Sequence, residues 1–203
     1  MIVAIILVLI LSLFVIFLIN FYRNPNRAIP YGENIVSPAD GRVICIMRTC
    51  DDSVKIRKGL LGKIRTLAGD VADDCHVVSI FMSPLDVHYN RAPIEGVVKS
   101  INYKKGKFFK AYDFEKSLEN EKNEITIQSL KNKKLKVKTI QIAGFLARRI
   151  KCFVRANQKL NKGDRIGMIA LSSQATLIFP AWAKLKISVG ERVMAGESII
   201  AEL

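Results

Sequence analysis

The first twenty residues constrain this chain most. Ile2 to Ile19 is an unbroken apolar run rich in Ile, Leu and Val, and Ser12 is the one polar residue in it. At about 1.5 Å per helical residue such a run covers close to the ~30 Å hydrocarbon core of a bilayer. One globular core seldom needs so long an uncharged helix, so the run predicts a transmembrane anchor over residues 1–22. A cleavable leader would place a basic stretch before the apolar run and small residues after it. Here the run opens on MIVAII and is followed by NFYRNPNR, which predicts an anchor that stays. Arg23 and Arg27 on its C-terminal side predict a cell-membrane protein with its domain in the cytoplasm. Phe21 and Tyr22 suit an aromatic belt at the interface.

Residues 24–30 (NPNRAIP) carry two prolines and two asparagines, which stop a helix and favour extended backbone. Residues 23–30 therefore read as a linker and 31–203 as the domain. With 203 residues in all, one compact domain plus an appendage fits the length. Short runs rich in Val and Ile alternate with Gly, Asp and Asn, and predict strands at 41–47, 77–82, 96–101, 125–130, 135–143, 167–171 and 175–179. Helical periodicity is weak outside the anchor. The expected class is mainly β, a β-rich α+β sandwich with one N-terminal transmembrane helix. Pro38-Ala39-Asp40-Gly41-Arg42-Val43 and Pro93-Ile94-Glu95-Gly96-Val97-Val98 share a turn that feeds a strand. Lys162-Gly163-Asp164-Arg165-Ile166 likewise resembles Val189-Gly190-Glu191-Arg192-Val193. Such Gly-acid turns resemble barrel-sandwich hybrid domains of the lipoyl-carrier kind, although no lysine sits where a lipoyl group would be carried.

The formal net charge is +14, with Lys and Arg gathered at 99–110, 131–138 and 148–151. A surface of this kind seeks anions, and near an anionic membrane each such residue contributes roughly 1 kcal/mol. Nucleic acid is not an expected partner, since the basic runs lack interleaved aromatics and any nucleic-acid fold motif. Cys45, Cys50, Cys75 and Cys152 form no CxxC pair, and His76 and His88 are the two histidines, so no metal site is expected. The cysteine spacing predicts buried free thiols in a reducing compartment.

Gly-rich phosphate loops and Gly-x-Ser-x-Gly elbows are missing, which removes the common kinase, dehydrogenase and hydrolase readings. Three dense constellations remain: Ser37-Pro38-Ala39-Asp40-Gly41, the stretch Ser83-Pro84-Leu85-Asp86-Val87-His88-Tyr89-Asn90-Arg91-Ala92-Pro93, and Leu171-Ser172-Ser173-Gln174. Taken singly, Asp40-Gly41 is an ordinary hairpin turn and a Ser-Ser pair in an apolar strand is a packing detail. His88 stands out as a side chain able to trade protons near neutrality.

Together these segments resemble the short form of the phosphatidylserine decarboxylase proenzyme family, which includes archaetidylserine decarboxylases. The resemblance spans nearly the whole chain. It runs through Phe21-Tyr22-Arg23-Asn24-Pro25, the first two constellations, Glu119-Asn120-Glu121-Lys122-Asn123, Gln141-Ile142-Ala143-Gly144, Ala147-Arg148-Arg149-Ile150 and Gly163-Asp164-Arg165-Ile166-Gly167-Met168-Ile169. The family's cleavage motif is Gly-Ser, after Gly-Met-Ile and before a proline. Gly167-Met168-Ile169 and Pro180 bracket the third constellation, so the register sets Ser173 at the reactive serine and Ser172 at the usual glycine. Arg91 stands where longer bacterial members carry a second histidine.

The resemblance implies a carboxy-lyase that builds its own cofactor. Ser173 would attack the Ser172 carbonyl and become a pyruvoyl group on Gln174, leaving residues 1–172 and 173–203 as two associated chains. Decarboxylation of an amino acid needs an electron sink, and a ketone that forms a Schiff base with the substrate amine provides one. The implied catalytic residues are Ser173, His88 for proton transfer and Asp40 mainly for processing, with neither metal nor pyridoxal phosphate. The implied substrate is a serine phospholipid, converted to the ethanolamine lipid and CO2. Because Ser172 replaces glycine, a processing-deficient, membrane-tethered lipid-binding relative is the alternative.

Overall fold

The computed structural model describes residues 1–50, 53–58, 62–105, 121–143, 149–170 and 173–203, with backbone alone at 53–58 and 62–67. The expected anchor is helix α1, Ile2–Phe21, whose most apolar window has a mean hydropathy of 3.6 and contains no buried residue. It is long and apolar enough to cross a membrane, and Phe21 is its one buried residue.

The first strands are β1 (Asn34–Val36), β2 (Gly41–Thr49), β3 (Ser53–Lys58), β4 (Gly62–Leu67) and β5 (Cys75–Met82). The middle of the chain supplies β6 (Tyr89–Arg91), β7 (Gly96–Lys104), β8 (Lys122–Gln128), β9 (Lys136–Ile142), β10 (Ile150–Cys152), β11 (Lys159–Leu160) and β12 (Arg165–Ile169). Then come β13 (Ser173–Pro180), β14 (Lys184–Leu185), β15 (Arg192–Val193) and β16 (Ile199–Glu202). Eight of them form one antiparallel sheet in the order β11-β7-β8-β9-β13-β5-β2-β15. Two three-stranded sheets, β1-β16-β14 and β6-β12-β10, and a β3-β4 hairpin complete the set, so the class is mainly β as expected. Strand β13 is buried along its whole length, which its sequence SQATLIFP tolerates because both sides of the strand meet protein.

The sheet orders repeat about a pseudo-twofold axis between β9 and β13. It exchanges β11 with β15, β7 with β2 and β8 with β5, and it carries β10-β12-β6 onto β14-β16-β1. Local chemistry follows the same operation. A Cβ on Gly41 would stand 2.1 Å from the Phe81 carbonyl oxygen, and one on Gly96 would stand 2.3 Å from that of Gln128. Only glycine lets each strand start so close to its neighbour. Val36 N–H donates to Pro93 O and Arg91 N–H donates to Pro38 O, both at 2.9 Å, and each bond is the image of the other. The two Pro-x-acid-Gly turns are therefore true counterparts. The second turn pair expected from sequence is out of register. Asn157 (φ 65°) matches Gly190 (φ 93°), since each donates its N–H to the equivalent carbonyl, Val98 or Val43, and Gly163 matches Gly196. Strands β6 to β12 form one half as a continuous stretch, inserted between β5 and β13 of the other.

The expectation of buried cysteines needs correction. Cys75 is buried and its thiol is pushed up to about 11 by desolvation, whereas Cys50 and Cys152 are exposed and Cys45 is half-buried. Widely spaced cysteines carry no signal for which strand face they occupy.

Candidate functional site

The stretch from Ser83 to His88 builds its own geometry. Asp86 N–H donates to Ser83 O at 3.0 Å, and Ser83 N–H donates to Asp86 Oδ2 at 2.8 Å, closing a tight turn. That turn aims the Asp86 carbonyl at His88, whose Nδ1 lies 2.8 Å from it. A carbonyl can only accept, so Nδ1 carries the proton and Nε2 holds the free lone pair. Nε2 is buried and, among the described residues, has no hydrogen-bond partner. Burial lowers the His88 pKa from its ordinary value, with the Asp86 carbonyl opposing the shift, so the ring is a neutral base near pH 7.

Ser173 opens β13 and is 1% exposed. It stands opposite Met82 of β5, and its Oγ lies 3.6 Å from Met82 Sδ. Met82 Sδ also receives the Asn90 amide at 3.8 Å, and Asn90 donates to Pro38 O at 3.3 Å. Gln141 Nε2 donates to Asn90 Oδ1 and Asn123 Nδ2 donates to Gln141 Oε1, each at 2.9 Å. The turn at Pro38, the strand holding Asn90 and the start of β13 thus meet through one buried amide chain. Ile169 N–H donates to the His88 carbonyl at 3.3 Å, so the segment leading to Ser173 departs from beside His88. Ser172 and Leu171 lie outside the described residues, as do Glu119, Asn120, Gly144, Ala147 and Arg148.

Asp40 sits on a neighbouring wall. Its carboxylate accepts both oxygens' worth of bonds from Arg27 Nη2, at 2.9 Å each, and a 2.7 Å bond from Ala195 N–H. Among the described residues no hydrogen bond joins Asp40 to His88; the imidazole is oriented by the Asp86 backbone instead. The residues after α1 are laid along this wall. Arg23 donates to Leu85 O, Arg91 donates to Asn24 Oδ1 and Pro25 O, and Ala28 N–H donates to Glu197 Oε1. Arg91 is thus a clamp on this strap.

Phe21 does not belong to an interfacial belt. It is 3% exposed and lies on the His88 ring, whereas Tyr22 is exposed. Asn90 and Gln141 were present in the motif stretches without any signal of their role, because two amides far apart in sequence reveal their bond only once β6 and β9 are packed together.

Among the described residues no group of three or more His, Cys, Asp or Glu is placed to hold a metal. The family model described as phosphatidylserine decarboxylase matches residues 14–201. The chain is 35% identical over 192 residues to the phosphatidylserine decarboxylase proenzyme of Burkholderia cenocepacia, covering 94% of this chain and 81% of that one. It is 41% identical over 187 residues to a provisionally named archaetidylserine decarboxylase proenzyme of Methanocaldococcus jannaschii, covering 92% and 89%. The Chlorobaculum tepidum phosphatidylserine decarboxylase proenzyme is 37% identical over 190 residues, covering 93% and 79%.

Proposed function

This chain belongs to the phosphatidylserine decarboxylase family, and from that premise we propose that it is a self-processing, pyruvoyl-dependent decarboxylase of serine phospholipids, anchored in the cell membrane with its domain in the cytoplasm. The observation that carries the reading is His88 Nε2, a buried lone pair without a partner among the described residues, on a ring whose tautomer the Asp86 carbonyl sets. A serine hydroxyl becomes a nucleophile only when such a base removes its proton.

In processing, Ser173 Oγ passes its proton to His88 Nε2 and bonds to the Ser172 carbonyl carbon. The Ser172–Ser173 C–N bond breaks and an ester remains. Loss of the Ser173 α-proton breaks the Cβ–O bond, frees the Ser172 carboxylate and leaves an enamine, which takes up a proton at Cβ to become the imine. Water then displaces the imine nitrogen as ammonia, which completes the keto group. Ser173 fits the precursor of that group: among the described residues Oγ is held by nothing stronger than Met82 Sδ, and the pairing of β13 with β5 fixes the residue's position. A pyruvoyl group at residue 173 supplies the electron sink for the departing carboxylate. In turnover His88 holds and returns the proton at Nε2. Asp40, through Arg27 and the Ala195 amide, fixes the strap and the turn that shape the site. The exposed α1 supplies the anchor, and the basic surface meets anionic headgroups.

Intact-mass analysis of the purified protein tests the proposal. Two fragments, 1–172 and 173–203, with a keto cap on the second are expected. One uncut chain without a carbonyl, in protein that still releases CO2, would overturn it.

A further inference from the structure

The axis that exchanges β2 with β7 also carries the catalytic end of the large sheet to the opposite end. Asp40, before Gly41, maps onto Glu95, before Gly96. Met82 and Ser173, paired across β5 and β13, map onto Ser129 and Leu135, which are joined across β8 and β9 by a 3.0 Å backbone bond. His88, one residue ahead of β6, maps onto Glu33, one residue ahead of β1. Leu203 N–H donates to the Glu33 carbonyl much as Ile169 N–H donates to that of His88.

A cavity of about 610 Å³ opens at this place, and Glu33, Glu95, Ser129 and Leu135 all line it. At this end of the sheet there is a hollow, but the positions equivalent to Ser173 and His88 carry neither a hydroxyl nucleophile nor an imidazole base. What remains is charge. Lys131 and Lys162 line the same hollow. Lys162 Nζ donates to Asn34 Oδ1 at 2.7 Å and to Gly32 O at 3.0 Å, which leaves one of its three N–H groups free to turn inward. Among the described residues the Glu33 and Glu95 carboxylates accept no hydrogen bond. A wall that offers both carboxylates and ammonium groups complements a ligand that carries an ammonium and a phosphate together.

We propose that this cavity is a second, non-catalytic site, the twofold mate of the catalytic one, and that it takes a zwitterionic amine and phosphate headgroup of the ethanolamine kind. The choice of ligand rests on the decarboxylase reading, which makes that headgroup the product; the existence of the site does not.

Trp182, the single tryptophan of the chain, lines the cavity and is half exposed, so its fluorescence reports on this hollow. The full chain carrying Ser173→Ala, in detergent, is titrated with glycerophosphoethanolamine. A saturable fluorescence change is expected, weakened at least about tenfold, or some 1.4 kcal/mol, by Lys131→Ala combined with Glu95→Gln. Both positions are exposed, and circular dichroism checks that the fold is kept. No saturable change, a change indifferent to the double substitution, or an equal response to inorganic phosphate or ethanolamine alone would each overturn the proposal. Release of CO2 by the unsubstituted chain is measured separately. Probe binding in protein that neither cleaves nor decarboxylates would refute the proposed function while upholding the site.

Discussion

The Phe21 ring lies against the His88 imidazole, with 4.1 Å between centroids and 38° between planes. The last residue of α1 is therefore the cover of the proposed base, and it contributes to the burial that lowers the His88 pKa. Phe21→Ala lets water reach the ring and raises that pKa back toward its ordinary value. The acid limb of the pH–activity curve should then move to higher pH, and the domain should lose about 3 kcal/mol, the lower end for truncating a buried phenylalanine. An unmoved acid limb would show that the contact is mere packing.

His88→Ala should lower kcat by about 10²–10⁴-fold, the usual share of a positioned general base. In the proposed mechanism the working form is neutral imidazole. Because burial lowers the pKa, that form persists as pH falls through 6.5 and is lost only below the depressed folded value. The unfolded chain binds the proton more readily in that window, so native stability also declines as pH drops below the unfolded pKa. Rate and chemical-denaturation profiles between neutrality and mild acid read both effects.

Ser173→Ala should leave one uncut chain on a denaturing gel and abolish CO2 release. Ser172→Gly introduces the glycine that the family resemblance implies at this place and removes a side chain from the proposed scissile junction, and glycine has the wider conformational range. Pulse-chase gels should show it cleaving faster than the natural chain; equal rates would mean that Ser172 imposes no restraint.

Gly167→Ala should destabilise the domain. A Cβ there would stand 2.5 Å from Gln141 Nε2 and 2.6 Å from the Lys151 carbonyl oxygen, so either the amide chain to Asn90 or the β10–β12 pairing must give. A loss of about 1–3 kcal/mol is expected from such overpacking. It should appear as a lower urea midpoint at unchanged m.

Much of this was legible in the residues. Every run rich in Val and Ile that was flanked by Gly or Asp became a strand, because alternation and turn chemistry are local signals. β8 ends at Gln128 rather than Leu130, where Ser129 turns the chain instead of extending it. Strands of two or three residues such as β11, β14 and β15 were not legible, since their bonds are to partners far along the chain. The same distinction governs the site. His88 was visible as a residue type, but its orienting group is a backbone carbonyl, which every residue possesses. Phe21 looked like a membrane residue because nothing in its neighbours announces that the helix end turns inward onto the domain.

The nested order of the two halves bears on how a cut chain survives. In one half β8 and β9 are joined by a plain hairpin, while in the other the link from β5 to β13 contains the whole sister half. The proposed scission ahead of Ser173 would fall at the seam where that excursion rejoins its parent. Residues 173–180 pair with β5 on one flank and β9 on the other, so breaking that peptide would free an end for chemistry without loosening the two pieces from each other.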